Sequence, residues 1–291
     1  MPIDASRALA AEPRTGGISW TAKDVQLYHL GIGAGANPDK DDPATDPDEL
    51  RYTLESRLHV LPSFATVAGS GAPGVISGLS VPGVDVELAK VLHGGQSLRI
   101  HRPIPAEGTA TATHRLAAVH DKGKAAVLVL RTDVADAAGP LWTADARIFV
   151  RGEGGWGGDR GPSTRVDPPA TGPDRTVERP VRPDQALLYR LSGDWNPLHA
   201  DPEFATLAGF DKPILHGLCT YGITLKAVVD TLLGGDVTRV RSYTTRFAGV
   251  VYPGETLRIR MWRRKGSVQV VVSAVERGDA PVLADTVVEH S

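Results

Sequence analysis

Hydrophobic residues in this sequence concentrate in six short runs that have the length and the alternating or β-branched character of β-strands. Three runs lie in the first half of the chain and three lie near its end: residues 110–118, 125–132, 142–150, 256–263, 267–275 and 282–288. Strands that follow one another after short turns usually pair. Each half of the chain is therefore predicted to form a mostly antiparallel sheet.

One longer apolar segment follows a different pattern. Residues 217–233 are apolar on most faces of a helix, and Gly234 and Gly235 follow, as is typical of a helix C-terminus. A helix that is apolar all round is usually enclosed by other elements. The sequence therefore predicts an α+β fold in which each half packs a sheet around one central helix.

Turn-forming residues divide the chain. Residues 151–183 are rich in Gly, Pro, Asp, Ser and Thr, which predicts a linker. A second tract, residues 37–48, holds three Pro and five Asp and is predicted to be an exposed loop. We therefore expect an N-terminal domain at residues 1–150, a linker at 151–183 and a C-terminal domain at 184–291.

The two halves also resemble each other. Residues 92–100 align with 251–259 at an offset of 159, with identical Gly, Leu, Arg and Ile, and residues 27–30 align with 188–191 at an offset of 161. A weaker match joins residues 60–63 to 214–217. Three matches in the same order favour a duplicated unit.

Composition narrows the function classes. The chain has 291 residues, and its 32 Lys and Arg against 34 Asp and Glu give a net charge of −2, so no overall field attracts nucleic acid or an anionic membrane. The one cysteine, Cys219, excludes an intrachain disulfide and a thiolate-rich zinc site. No apolar run approaches the ~18 residues of a membrane span. We expect a cytoplasmic protein without nucleic-acid or membrane partners.

One polar cluster suggests chemistry. Asp194, Asn196 and His199 stand within six residues, in a stretch whose Gly and Pro exclude a regular helix. An imidazole beside a carboxylate suits the activation of water near neutral pH. The alternative is that Asp and Asn before Pro are ordinary turn residues. A metal site at His199, Asp201 and His216 is not expected, because their spacing matches no zinc pattern.

Gly217 stands at the predicted start of the apolar helix. The free N–H groups of a helix N-terminus form a ready hydrogen-bond site for a developing oxyanion, and glycine allows a ligand to approach closely. The alternative is that Gly217 only lets the helix pack tightly.

These segments resemble a known family. Residues 189–199, Tyr-Arg-Leu-Ser-Gly-Asp-Trp-Asn-Pro-Leu-His, and residues 208–222 closely resemble the signature of the hydratase 2 family, the MaoC-like (R)-specific enoyl-CoA hydratases. The resemblance is greatest to the hydratase unit of peroxisomal multifunctional enzyme type 2 and to its stand-alone actinobacterial relatives. It extends to residues 89–96, 121–123, 152–158 and 246–248.

The resemblance implies a double hot-dog fold and a homodimer that needs no cofactor. It implies that Asp194 and His199 are the catalytic pair and that the Gly217 N–H binds the thioester oxygen. The residues that match positions contacting the acyl-CoA are His93, Gly94, Lys122, Trp195, Asn196, Pro197, Leu198 and Phe247.

The first half departs from this pattern. Where the second half has Asp194 and His199, the first half has Ala34 and Asp39, although an Asn-Pro pair is present in both. We therefore expect one active site per chain, with the N-terminal domain free to accommodate the acyl group.

The implied reaction is the addition of water to a trans-2-enoyl-CoA, giving a (3R)-3-hydroxyacyl-CoA in fatty-acid or steroid side-chain β-oxidation. One alternative is a dehydratase for acyl groups on a carrier protein, because hot-dog folds serve both. Another is a non-catalytic acyl-CoA binding protein. The intact set of Asp194, His199 and Gly217 counts against a mere binder.

Overall fold

The computed structural model describes residues 3–69, 81–87, 90–163 and 165–291. Within these ranges the helices are α1 (Ala5–Leu9), α2 (Ala22–Gly31), α3 (Pro47–Leu50), α4 (Gln185–Tyr189), α5 (Pro202–Leu207) and α6 (Gly217–Leu232). The strands are β1 (Arg14–Trp20), β2 (Val91–Ile100), β3 (Gly108–Asp121), β4 (Ala125–Asp136), β5 (Gly139–Arg151), β6 (Arg175–Pro180), β7 (Val240–Phe247), β8 (Thr256–Arg264), β9 (Ser267–Ala274) and β10 (Ala280–His290). Short 3₁₀ turns include Pro62–Thr66, Arg190–Ser192 and Pro197–His199.

The ten strands form one antiparallel sheet in the order β1-β3-β4-β5-β2-β7-β10-β9-β8-β6. Five strands from the first half of the chain lie beside five from the second half, in mirrored order. The halves meet where β2 pairs with β7, for example at Leu98 opposite Tyr243. This seam between β2 and β7 makes the two units one continuous sheet.

All six predicted strands are present, and the mirrored order supports a duplicated unit. The alignment of residues 92–100 with 251–259 was wrong, however. The strand order equates β2 with β7, whereas residues 251–259 form a turn and the start of β8. A glycine followed by alternating apolar residues occurs at the start of many strands. The alternation reflects burial of one face of a strand, so it does not show that two strands hold equivalent positions.

Helix α6 occupies the core as predicted. Every residue from Cys219 to Val229 is buried. Two tyrosines fix the helix to the sheet: the Tyr221 hydroxyl donates to the Tyr243 carbonyl at 2.9 Å, and the Tyr243 hydroxyl donates to the Tyr221 carbonyl at 3.2 Å. None of the helices in the described ranges combines the length and the apolar character needed to cross a bilayer.

The first half has no equally long helix among its described residues. The 3₁₀ turn Pro62–Thr66 stands where α6 begins in the second half, and residues 70–80 lie outside the described ranges. Instead α2 packs closely on the second half, since a Cβ on Gly31 would lie 3.2 Å from the Tyr189 Cα. The prediction of a central helix is thus confirmed for the second half.

The tract 151–183 is not entirely a linker. Strand β6 lies within it and pairs along its length with β8 at the edge of the sheet. Its sequence, Arg-Thr-Val-Glu-Arg-Pro, is too polar to form an apolar run, because an edge strand buries little of its surface. The prediction of an unstructured connection was therefore wrong for residues 175–180.

The glycine-rich loop at the start of that tract folds around a carboxylate of the protein itself. Asp121 accepts hydrogen bonds from the N–H groups of Gly123 (2.7 Å), Gly155 (2.8 Å), Gly157 (2.8 Å) and Gly158 (3.3 Å). These bonds lower the pKa of Asp121 to about 2. The loop is thus an internal anion nest that Asp121 already fills.

The predicted exposed loop at residues 37–48 is anchored at its first residue. Asn37 is buried, and its side-chain amide donates to Glu49 at 3.1 Å. Glu49 also accepts the Gly35 N–H at 2.8 Å and the Lys226 ammonium at 2.7 Å. A buried ion pair therefore joins this loop of the first half to α6 of the second half.

Candidate active site

The turn that carries the candidate acid and base is shaped by its own side chains. Gly193 adopts a left-handed φ of 118°, which ends the preceding 3₁₀ turn. The Asp194 carboxylate accepts the Asn196 N–H at 3.2 Å, and the Asn196 side-chain oxygen accepts the Leu198 N–H at 3.1 Å. Such Asx turns explain why Asp and Asn occur at this spacing. They confirm the structural interpretation of these residues without excluding the chemical one.

His199 ends the turn with its ring buried. Its Nδ1–H donates to the Ile214 carbonyl at 2.9 Å. Because a carbonyl can only accept, this bond fixes the neutral tautomer that has its lone pair on Nε2. Burial lowers the pKa of His199 below its usual 6.5. The imidazole is therefore neutral near pH 7 and can accept a proton.

His216 links this turn to the start of α6. Its ring stacks on that of His199 with centroids 3.7 Å apart, and its Nε2–H donates to the Asp194 carbonyl at 3.2 Å. Burial, with the neighbouring His199 ring, lowers the pKa of His216 to about 2. The sequence predicted no role for His216, whereas the structure places it as a neutral support for both catalytic candidates.

Asp194, His199 and His216 each offer a nitrogen or carboxylate oxygen, and these three atoms lie within 4.8 Å of one another. Their arrangement does not suit a metal ion. A metal lies near the plane of each imidazole that binds it, about 2.0–2.1 Å from the nitrogen. The two rings are stacked at 29° rather than converging edge-on, and one nitrogen of each is already bonded to a backbone carbonyl. The cluster is better suited to holding a water molecule.

Gly217 is the first residue of α6, and its backbone is exposed. The N–H of a first helical residue has no acceptor within its own helix and lies at the positive end of the helix dipole. A Cβ at this position would lie 3.2 Å from two ring atoms of Phe247. The structure confirms that Gly217 leaves space for packing, and among the described residues its N–H has no hydrogen-bond acceptor, so the oxyanion role stays a prediction.

The first half contributes His93, which lies in β2. Its ring meets Phe247 edge to face at 4.9 Å, and its Nε2–H donates to the Gly95 carbonyl at 3.1 Å. A β-bulge at Gly94 turns the strand at this point. Burial lowers the pKa of His93 to about 4, although the nearby Asp194 charge opposes this. The candidate site therefore spans the seam between β2 and β7.

Trp195 is exposed beside the catalytic turn. The Arg190 guanidinium lies over its ring, 4.7 Å from the centroid, and Nη2 donates to the Trp195 carbonyl at 3.3 Å. The buried Nε of Arg190 has no hydrogen-bond partner in the part of the chain that the structure describes. The sequence analysis missed Arg190, although a cation five residues before Trp195 was a usable signal.

Other predicted contact residues lie around this centre. Pro197 is exposed, and the Leu198 carbonyl accepts the Ile214 N–H at 3.4 Å. Lys122 lies in the turn between β3 and β4, where its ammonium donates to the Arg160 carbonyl. The strand order places Lys122 at the same end of the sheet as His93, with three strand spacings, about 14 Å, between their strands.

Comparison with known proteins shows the family of both halves of the chain. Residues 18–152 match the family model described as the MFE-2 hydratase 2 N-terminal domain, and residues 165–282 match the MaoC like domain. The enoyl-CoA hydratase ChsH3 of Mycobacterium tuberculosis is 48% identical over 285 residues, which cover 98% of this chain and 98% of that protein.

Solved structures show the same architecture. A MaoC-like dehydratase from Phytophthora capsici superposes with a TM-score of 0.88 at 31% identity, covering 99% of this chain and 98% of that one. A conserved hypothetical protein of Mycobacterium tuberculosis with a double hotdog fold superposes with a TM-score of 0.57 at 13% identity, covering 99% and 98%. The predicted double hot-dog fold is thereby confirmed.

Proposed function

The chain belongs to the hydratase 2 family of MaoC-like proteins, and from that premise we propose that it adds water to trans-2-enoyl-CoA thioesters to give (3R)-3-hydroxyacyl-CoA. The observation that carries the proposal is the convergence of the Asp194 carboxylate and the His199 ring beside the first N–H of α6. These are an acid, a base and an oxyanion donor in one place.

The first step is the activation of water. His199 is neutral, with its Nε2 lone pair free, so this nitrogen can accept a proton from a water held between it and Asp194. The water oxygen then bonds to C3 of the enoyl group. The proton that the water loses passes through the pair to C2 on the same face, which gives syn addition.

The thioester carbonyl receives negative charge as the C3–O bond forms. The Gly217 N–H, strengthened by the dipole of the sixteen-residue helix α6, stabilises that charge. His216 helps to keep this donor in register with Asp194, because it begins the helix as its N-cap and bonds the Asp194 carbonyl.

We propose a division of labour between the domains. Residues 184–291 supply the chemistry, while residues 1–150 accommodate the acyl group, with residues 151–183 between them. His93 and Gly94 bring the first domain to the site, and Trp195, Asn196, Pro197, Leu198 and Phe247 line the substrate's approach. Lys122, at the same end of the sheet as His93, is the proposed contact for a CoA phosphate.

The direct test uses the loss of the enoyl absorbance when purified protein is mixed with a 2-enoyl-CoA, followed by chiral analysis of the product. We expect the absorbance to fall and the product to be the (3R) isomer. A (3S) product would contradict the proposed geometry. Turnover only of acyl groups tethered to a carrier protein would favour the dehydratase alternative, and binding without turnover would favour a non-catalytic acyl-CoA binder.

We also propose that the enzyme acts as a cytoplasmic homodimer on fatty or steroid side-chain thioesters. The buried free thiol of Cys219 is compatible with a reducing compartment. The dimer is an inference from the family. Light scattering should give twice the chain mass, and a stable monomer would contradict it.

A further inference from the structure

A cavity of about 210 Å³ lies at the other end of the seam between β2 and β7. Its apolar walls are formed by Leu58, Val60, Pro62, Ile100, Ile104 and Val237. His93 and Ile100 are seven residues apart on β2, which is about 23 Å along a strand. The cavity is therefore separate from the catalytic cluster.

The mirrored sheet relates this cavity to the active site. Pro62 is the first residue of the 3₁₀ turn that stands in place of α6, as Gly217 is the first residue of α6 itself. Ile100 is the last residue of β2, as Phe247 is the last residue of β7. Two residues that line the cavity, Pro62 and Ile100, thus stand at the positions that Gly217 and Phe247 occupy in the second half.

The chemistry is missing from this second position. The turn that corresponds to the catalytic one contains Gly35 and Asn37, and both donate to Glu49, which the Lys226 ammonium holds in place. This turn does not line the cavity. What the duplicated position retains is a largely apolar pocket whose lining also includes His59 and Asp236.

Two arginines stand at its mouth. Arg241, near the start of β7, lines the cavity, and Arg99 lines an adjoining depression that shares Arg241 and Ile100. Across the described residues, neither guanidinium makes a hydrogen bond or an ion pair, and both are exposed. Guanidinium groups left free beside an apolar pocket favour an anionic head group.

The acidic side chains nearby already accept hydrogen bonds from neighbouring residues. Asp236, on the rim, accepts the N–H and the hydroxyl of Thr238 at 2.9 and 2.6 Å. Glu289, in the adjoining depression, accepts the Ser242 hydroxyl at 2.6 Å. These donors are neutral, so among the described residues the two arginines are the charged groups at the entrance whose hydrogen-bond donors remain unoccupied.

We infer that this cavity is a second, non-catalytic binding site for a medium-length aliphatic chain that carries a carboxylate or phosphate head group. The cavity has room for about seven groups of the size of water, which suits an eight-carbon chain. A free fatty acid carries its anion directly on the chain, and an acyl-CoA carries phosphates beyond its neutral thioester and pantetheine arm. An acyl-CoA as the bound ligand rests on the proposed function, whereas a free fatty acid as the bound ligand does not.

Calorimetric titration of the intact protein with octanoyl-CoA, which has no double bond to hydrate, tests the inference. We expect two equivalents per chain in the wild type. Arg241→Glu should weaken one of them about tenfold or more and leave the hydration rate unchanged. Arg263→Glu, which alters an exposed arginine elsewhere on the sheet, should keep both. Leu58→Trp, which fills the cavity, should remove the same equivalent as Arg241→Glu.

Gly217→Val separates the two sites, because its side chain would crowd Phe247 and cover the oxyanion donor. It should lose the other equivalent together with hydration. A single equivalent in the wild type, or two that survive both Arg241→Glu and Leu58→Trp, would overturn the second site. If the wild type hydrates no 2-enoyl-CoA but loses one of two bound equivalents in Arg241→Glu, the proposed function fails and the second site stands.

Competition identifies the head group. Displacement of the second equivalent by octanoate assigns a carboxylate, and displacement by CoA without an acyl chain assigns a phosphate. Displacement by neither would contradict an anionic head group.

Discussion

The hydrogen bond from His199 to the Ile214 carbonyl decides what this imidazole can do, because it leaves Nε2 as the one free nitrogen. Removing the ring or the neighbouring charge should therefore abolish proton transfer. We expect Asp194→Asn and His199→Gln each to lower kcat by about 10²-fold or more, with KM little changed. The decay of enoyl absorbance measures this.

Folding must be checked in the same variants. Circular dichroism and melting curves close to those of the wild type would show that the loss is chemical. Near-normal turnover in either variant would exclude the assigned pair.

The free charge of Arg190 acts on the same histidine. Burial is the largest cause of the lowered pKa of His199, and the Arg190 charge lowers that pKa further. Removing it in Arg190→Met should raise that pKa, so the acidic limb of the kcat/KM profile should move to higher pH. Arg190→Lys keeps the charge but loses the planar stacking on Trp195 and should leave the limb in place. Rates measured from about pH 5 to 9 distinguish the two.

If Arg190 only supports the loop, both variants should lower the rate by similar factors with no displacement of the limb. That result would remove its electrostatic role.

The sequence identified Asp194, His199 and Gly217 because they stand in one short motif and at a helix start. It did not identify the supporting role of His216, which depends on ring stacking between residues seventeen positions apart. The part played by His93 came only from the family resemblance. Contacts across the seam follow from strand order, which no local pattern records.

Among the elements, the glycine-rich loop gives a sharp prediction. Asp121→Asn loses the charge that four N–H groups share, so the loop at residues 152–161 should open. We expect a lower melting temperature and faster proteolysis within those residues. Asp159→Asn alters an exposed aspartate of the same loop that accepts one bond, from Gly161, and serves as the control. Equal proteolysis of both variants would contradict the role of the nest.

The buried pair of Lys226 and Glu49 joins α6 to the first half. Lys226→Met leaves the Glu49 carboxylate buried without its cation and should lower the free energy of unfolding by about 3 kcal/mol. Urea denaturation measures this loss. Adding Glu49→Gln should recover part of it, because the stranded charge is removed; strictly additive losses in the double variant would show that the two groups are not coupled.

Apolar periodicity was sufficient for α6 and for six of the eight inner strands, since those elements bury their side chains, but it did not predict the seam strands β2 and β7 or the edge strand β1. It failed for β6, which is a polar edge strand held by its partner β8. It also equated the wrong strands of the two halves. Elements stabilised by pairing rather than by burial leave a weaker signal in the sequence.

For the whole molecule, acid should be destabilising. His29 is buried with both nitrogens engaged: Nδ1–H donates to the Tyr52 carbonyl at 2.7 Å and Nε2 accepts the Leu61 N–H at 3.1 Å. Burial lowers its pKa from 6.5 to about 3. Because the unfolded chain takes up a proton first, the free energy of unfolding should fall below about pH 6.5, by about 1.4 kcal/mol per pH unit for this histidine.

Urea denaturation between pH 7.5 and pH 4 measures this slope. His29→Gln keeps one donor and one acceptor but cannot titrate, so its slope should be shallower. An unchanged slope would assign the acid sensitivity to other groups, such as His93 and His216.

The continuous sheet across β2 and β7 also bears on how such a protein can evolve. When two identical subunits form a site at their interface, every mutation appears twice, once in each copy. Here one chain supplies both halves, so a mutation changes one half alone. Selection could therefore preserve Asp194 and His199 in the second half while the matching turn of the first half lost its reactive groups. That turn could then take a structural role, in which Glu49 and Lys226 join it to α6.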